Sequence, residues 1–262
     1  MKIITSADNP RFKTLLELQQ SSRARRKAGL SLLDGVHLLN AYRDNLGPPE
    51  YIAVSRTGLE NPEIADLLGN LQAIDVFALS DALFGRLSSL ATPTGILAAV
   101  KTPRASAIPQ DPGPCILLED IQDPGNLGSI LRSAAAAGVR EVFLSRHSVH
   151  GWSPRVLRAG MGAHFMLSIY ENVDLAEFIR RYRGRVVAAS GNARRSLFSA
   201  DLTGNIGLLL GNEGNGLSRE LLQLAHETVA IPMPGNTESL NVAAAAAVCL
   251  FERVRQLGAA KT

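Results

Sequence analysis

Apolar positions along the chain follow two rhythms. At Asn9–Gln20, Phe12, Leu15, Leu16 and Leu18 fall at helical spacing, and Leu33–Tyr42, Pro62–Leu68 and Asp81–Leu87 read the same way. Short apolar runs between them, Tyr51–Val54, Asp75–Ala78 and Ile96–Val100, predict strands. The first hundred residues therefore read as a small α/β unit. From Lys101 to Pro114 the pattern stops: KTPRASAIPQDPGP holds four prolines in fourteen residues. Proline withholds the backbone donors that a helix or a central strand needs, so 101–114 reads as a linker between domains 1–100 and 115–262.

Beyond the linker the alternation sharpens. Strand-like runs at Cys115–Ile121, Glu141–Leu144, Phe165–Tyr170, Arg185–Ala189, Ile206–Leu210 and Thr228–Ile231 are apolar on both faces. Helical stretches at Leu127–Ala137, Val173–Tyr182 and Leu217–Ala225 separate most of them, and Leu240–Gln256 closes the chain. Strands this apolar, interleaved with helices, predict an α/β fold around a mostly parallel sheet covered on both sides. Ligands of such sheets bind beyond the carboxyl ends of the strands, which directs attention to the loops there.

Composition changes this picture little and mostly by exclusion. The 262 residues are 46% hydrophobic, enough for a sizeable core. No apolar run is long enough to cross a bilayer, and MKIITSADNPRFK lacks the apolar stretch of a secretory signal, so the expected location is the cytoplasm. Cys115 and Cys249 sit alone in apolar runs and read as buried thiols. The five histidines show no paired-ligand spacing, so no metal is expected. Charge adds more through its distribution than through its net value of +3. Arginine dominates the basic residues, and Arg11, Lys13, Arg23, Arg25, Arg26 and Lys27 gather against the single acid Glu17. A second patch holds Arg180, Arg181, Arg183 and Arg185, followed by Arg194 and Arg195. Each patch alone suits a solvated helix end; together they point to a polyanionic partner, with the first cluster as its candidate contact.

Three loops after strands carry candidate chemistry. In the first, EDIQDPGNLGSILRSA (119–134), Pro124–Gly125 turns the chain and Asn126 stands where a helix N-cap belongs, with Arg132 about 1.7 turns further on. In the second, LLLGNEGNGL (208–217), glycines at 211, 214 and 216 let backbone approach a ligand, and Glu213 in their midst is not explained by turn chemistry. In the third, VAIPMPGNTESLNVAAAAAV (229–248), Ser239 is placed to cap the last helix and Asn241 to lie in its first turn. Taken singly, the first and third loops are also explained by capping alone, and a glycine-rich loop alone is weak evidence for a ligand.

Together and in this order, the three loops resemble the signature motifs of the SpoU (TrmH) branch of the SPOUT RNA methyltransferases. The resemblance covers Cys115 to about Leu257. The stretches ITSADNPRFK and LLDGVHLL also resemble the small ribosomal-protein-like α/β RNA-binding domain that precedes the catalytic domain in many members. What the resemblance implies is a catalytic domain with a deep trefoil knot, a homodimer, and S-adenosylmethionine as cofactor. By position, Gly211, Ile231, Leu240, Leu210 and Met233 would contact that cofactor, largely through backbone. Asn126, Arg132, Glu213, Ser239 and Asn241 would form the catalytic set for methylation of a ribose 2′-hydroxyl. Many members carry Ser where this chain has Ala243, which removes one hydroxyl from the third motif.

A ribose hydroxyl is a weak nucleophile that must be aligned and relieved of its proton. A guanidinium is a poor base, so Arg132 is assigned mainly to holding phosphate and ribose, with a base role left open. The added N-terminal domain favours large-subunit ribosomal RNA over tRNA. Two other readings compete: a non-catalytic RNA binder on the same scaffold, and a nucleotide-dependent oxidoreductase. The glycine order G-x-x-G-x-G, not G-x-G-x-x-G, disfavours the second.

Overall fold

The structure, a computed structural model, describes all residues except 1, 72–73, 89–91, 104–106, 236 and 260–262, and nothing of the side chain of residue 259. In chain order the elements are β1 (Ile3–Ile4), α1 (Pro10–Gln20), α2 (Ser22–Ala28), β2 (Leu30–Asp34), α3 (Val36–Leu46), β3 (Tyr51–Ser55), α4 (Pro62–Gly69), β4 (Asp75–Leu79), α5 (Asp81–Leu87) and β5 (Ile96–Lys101). There follow β6 (Cys115–Leu118), α6 (Pro124–Ala136), β7 (Glu141–Ser145), α7 (Pro154–Gly160), β8 (Ser168–Val173), α8 (Leu175–Arg181) and β9 (Arg185–Ala189). The chain ends with β10 (Arg195–Ser196), β11 (Ile206–Leu210), α9 (Arg219–Leu224), β12 (Glu227–Ala230) and α10 (Val242–Ala259). Contacts divide it into two compact units, Met1–Pro103 with Trp152–Phe165, and Arg104–Gly151 with Met166–Thr262.

The first unit is built on a mixed five-stranded sheet in the order β1-β4-β3-β5-β2, with β5 antiparallel to both its neighbours. The apolar face of α1 packs Phe12, Leu15 and Leu18 into a cluster with Leu32, Phe77, Phe84 and Leu97. Asn9 starts that helix by accepting the Arg11 N–H, with Pro10 at the first position. The expected helix at Leu33–Tyr42 is two elements. Gly35, at φ +101°, breaks the run, so that residues 30–34 pair with β5 and the helix begins at Val36. Leucine suits a buried strand and a buried helix equally, and the chain reversal needed a backbone angle that only glycine adopts freely. Segment Trp152–Phe165, which the sequence grouped with the catalytic domain, clusters with this unit, where α7 packs on β2.

The second unit holds a seven-stranded sheet, parallel throughout, in the order β10-β12-β9-β11-β6-β7-β8. Every residue of β6 and β11 is buried, as their unbroken apolar sequences require of central parallel strands. Phe143, Phe178 and Tyr182 stack beneath them, and the Tyr182 hydroxyl donates to the Gly113 carbonyl and to Asn205. Cys115 and Cys249 are buried free thiols, and burial pushes both up to about 12, so neither serves as a nucleophile. Small residues let α6 and α10 lie together: Gly128 and Ala134 on one and Ala246 on the other are buried. Several elements shifted from their expected places, α6 starting earlier at Pro124 and α10 later at Val242 among them. The strand expected at Phe165–Tyr170 is Ser168–Val173, preceded by a short 3₁₀ turn, because the aromatic and methionine residues before it suit either state. The helices expected from Val173 and Leu217 start two residues later, where Asp174 and Ser218 supply caps. No helix among the described residues is long and apolar enough to cross a membrane.

Candidate active site

The carboxyl ends of β9, β11 and β12, with Asn126 of α6, open onto a cavity of about 580 Å³. Leu210, Gly211, Glu213, Ile231, Met233, Ser239, Leu240, Asn241 and Asn126 all line it, so residues up to 115 positions apart in sequence meet there. The loop after β9, Ser190–Asn192, also contributes; it was not anticipated, although it too follows a strand of the sheet.

Caps decide how the polar side chains are presented. Asn126 is not the N-cap of α6. Asp123 takes that place, its carboxylate accepting the Asn126 N–H at 2.7 Å, because Pro124 suits the first helical position and pulls the helix start back. The Asn126 amide is thereby free to act as a bridge. Its nitrogen donates to Glu213 at 3.1 Å and its oxygen accepts from the Asn241 amide at 2.9 Å. Asn241, in turn, and not Ser239, caps α10: its oxygen accepts the N–H groups of Ala243 and Ala244, since the helix starts at Val242. Ser239 lies exposed on the cavity rim.

Glu213 reaches across to the other loop. Besides Asn126 it accepts the backbone N–H groups of Gln122 and Asp123, at 3.4 and 3.3 Å. Partial burial acts to raise its pKa, but the hydrogen bonds from Asn126 and from the backbone outweigh it, and the carboxyl sits below the ordinary glutamate range. Such a carboxylate is ionised, already well supplied with donors, and poorly suited to take a proton. Arg132 is not part of this cluster. It is exposed on α6 and, among the described residues, has no hydrogen-bond or ion-pair partner, because six residues along a helix place it about 120° round from Asn126.

Gly211 is required by the loop itself. A Cβ there would fall within 3.0 Å of the Gly216 carbonyl and the Leu217 nitrogen, where the chain folds back on β11. Asn212, unforeseen from sequence, closes that fold: its backbone pairs both ways with Gly216, and its side chain binds loop and neighbour alike. Ser218, the cap of α9, donates its N–H to Glu119 at 2.7 Å. No group of three or more His, Cys, Asp or Glu among the described residues is placed to hold a metal.

The basic residues of the first unit divide by their partners. Arg11 pairs with Asp75 at 2.9 Å and Lys13 with Asp8 at 2.9 Å. Arg25 is turned inward, its guanidinium donating to the carbonyls of Leu18 and Gln19 at the end of α1. That leaves Arg23, Arg26 and Lys27 exposed on α2 without partners among the described residues. In the second unit Arg180, Arg181, Arg183, Arg185 and Arg195 all face carboxylates.

Comparison with known proteins agrees with this architecture. Residues 113–251 match the model of the SpoU rRNA methylase family, and residues 9–98 match an MRM3-like substrate-binding domain. An uncharacterized tRNA/rRNA methyltransferase of Synechocystis is 34% identical over 99% of this chain and 96% of its own length. A 23S rRNA (guanosine-2′-O-)-methyltransferase of Xanthomonas campestris is 43% identical over 55% of this chain and 59% of its own. The crystal structure of the SpoU methyltransferase AviRb of Streptomyces viridochromogenes, in complex with S-adenosylmethionine, is 27% identical with a TM-score of 0.83, covering 96% of this chain and all of that one. By sequence and by fold, the chain belongs to the SpoU rRNA methylase family.

Proposed function

We propose that this enzyme, an S-adenosylmethionine-dependent RNA methyltransferase by family, methylates a ribose 2′-hydroxyl in large-subunit ribosomal RNA. The observation that carries the reading is the Asn241–Asn126–Glu213 chain of hydrogen bonds at the edge of the cavity. Support for ribosomal RNA comes from the N-terminal substrate-binding domain and from the Xanthomonas relative.

The cavity suits the cofactor. Leu210, Ile231, Met233 and Leu240 offer apolar surface for a nucleobase, and the loop at Gly211 offers backbone unobstructed by a Cβ. When bound, the cofactor supplies a methyl carbon made electrophilic by its sulfonium. The chain's part is to bring the hydroxyl to that carbon and hold it there. Asn126, fixed at both ends of its amide, orients the ribose; Asn241 and Ser239 shape the pocket around it. Glu213 keeps the Gln122–Asn126 segment in place through its three bonds. Arg132, unpaired and exposed, meets the target phosphate and ribose. With neither Glu213 nor a guanidinium suited to accept it, the hydroxyl proton would pass to solvent, and the ribose oxygen would take the methyl as the cofactor's sulfur leaves as a neutral thioether.

The working form in this reading is a homodimer acting in the cytoplasm, with the trefoil knot of its family. Phe251, Val254 and Leu257 leave an exposed apolar stripe at three-residue steps on α10, which a second copy would cover. Light scattering should give twice the chain mass of 28.0 kDa. The deciding experiment is transfer of labelled methyl from S-adenosylmethionine to total RNA. Label in 23S RNA, recovered as an alkali-resistant dinucleotide, is expected. Label in tRNA would move the substrate, label on a base would overturn the ribose assignment, and cofactor binding without label on any RNA would favour a pure binder.

A further inference from the structure

We propose that Asn212 is a positioning residue that ties the cofactor loop to the catalytic loop, so that the two are held in one register. The inference rests on the function proposed above. Asn212 is half-buried and uses every part of its amide. The side-chain oxygen accepts the N–H groups of Gly214 and Asn215 at 2.9 and 3.0 Å, and its backbone exchanges hydrogen bonds with Gly216 at 3.1 and 3.0 Å. These bonds shape the loop from within. The side-chain nitrogen does something different: it donates to the Asp120 carbonyl at 2.8 Å, outside the loop.

Asp120 is where the catalytic segment leaves β6. It holds a left-handed backbone, φ +53°, that a residue with a Cβ adopts only when its surroundings impose it. Ser145 restrains it from the other side, its hydroxyl accepting the Asp120 N–H at 2.8 Å and donating to the Asp120 carboxylate. The direction of the chain at Asp120 sets where Gln122, Asp123 and Asn126 arrive, and all three donate to Glu213. Asn212 and Glu213, adjacent in sequence, therefore grip the same segment at its two ends, and the grip at Asp120 needs a donor that only the amide nitrogen supplies.

That division of labour can be separated experimentally. Asn212→Asp keeps an oxygen for the loop N–H groups, loses the donor to Asp120 and places a carboxylate against that carbonyl. Asn212→Ala removes both functions. Ser145→Ala, at a residue that does not line the cofactor cavity, loosens Asp120 from the opposite side and serves if the aspartate variant does not fold. Full-length variants are compared for S-adenosylmethionine binding by calorimetry and for single-turnover methyl transfer to ribosomal RNA. The expected pattern is a cofactor Kd within about 2-fold of wild type for Asn212→Asp and Ser145→Ala, with transfer slowed about 10-fold. For Asn212→Ala, both affinity and rate fall about 10-fold. Wild-type transfer rates in Asn212→Asp and Ser145→Ala, or a loss of cofactor affinity in them as large as in Asn212→Ala, would overturn the coupling. Failure of the wild-type protein to bind the cofactor would instead overturn the functional reading, and the coupling with it.

Discussion

Asn126 and Asn241 show why an amide suits this site better than a charge. Each gives with its nitrogen and receives with its oxygen, so a short chain from the start of α10 to Glu213 is fixed without a second ion. Replacing Asn126 with Ala should slow methyl transfer about 100-fold while cofactor Kd holds within about 3-fold, as single-turnover rates and calorimetry would show. Arg132→Ala should behave likewise; transfer at wild-type rate would remove Arg132 from the mechanism. For Glu213 the sign follows from its lowered pKa. A carboxyl whose folded-state pKa lies below its unfolded value contributes stability above the unfolded value and loses it as pH falls through the folded one. The melting temperature of wild type should thus exceed that of Glu213→Gln at neutral pH, and the gap should close only below the ordinary glutamate range. A gap that does not change with pH would mean the carboxylate charge is not what holds the segment.

At the scale of elements, glycine and arginine do work that their neighbours cannot. Gly211→Ala must push the Gly216–Leu217 backbone off β11, so cofactor affinity should fall at least about 10-fold. Gly214→Ala is the control: its Cβ would meet only the Asn212 side-chain oxygen, at 3.5 Å, and affinity should stay close to wild type. Arg25 closes the end of α1 by donating to two of its last carbonyls from a buried position. Arg25→Ala should therefore cost about 1–3 kcal/mol in urea unfolding, against about 0.5 kcal/mol or less for Arg23→Ala or Arg26→Ala. An equal, small effect at all three positions would show that the buried guanidinium is not a staple.

Over the whole molecule, charge matters where it is not already spent. Arg180, Arg181, Arg183, Arg185 and Arg195 of the second unit face carboxylates, whereas Arg23, Arg26 and Lys27 on α2 face solvent. Replacing these three with Ala should lower the slope of log affinity for RNA against log salt by about 2, the release expected for three phosphate contacts on single strands. A slope equal to wild type would place the RNA on another face.

How much of this was legible in the sequence depended on how local the determining physics was. The alternation of apolar runs with helical stretches determined the two α/β units and the parallel sheet, because burial on both faces of a strand is written in consecutive residues. The three loops were visible for the same reason, each being a short contiguous segment after a strand, whereas the residues assigned within them and the expected chemistry came from the resemblance to the SpoU family. What the sequence left open was settled by partners far away in the chain. Whether Asn126 or Asp123 caps α6, and whether Asn241 or Ser239 caps α10, are choices among good capping residues a few positions apart. Pro124 settles the first of these locally, but that Glu213 and Asn241, 87 and 115 residues away, take up the Asn126 amide is decided only in the folded chain. Arg25 looked like one basic residue among six because nothing local distinguishes a guanidinium folded under a helix from one in solvent. Asn212 was invisible in a glycine-rich loop because its partner, Asp120, is 92 residues earlier. Periodicity records which way a residue faces; only the tertiary structure decides which hydrogen bonds a polar side chain will make.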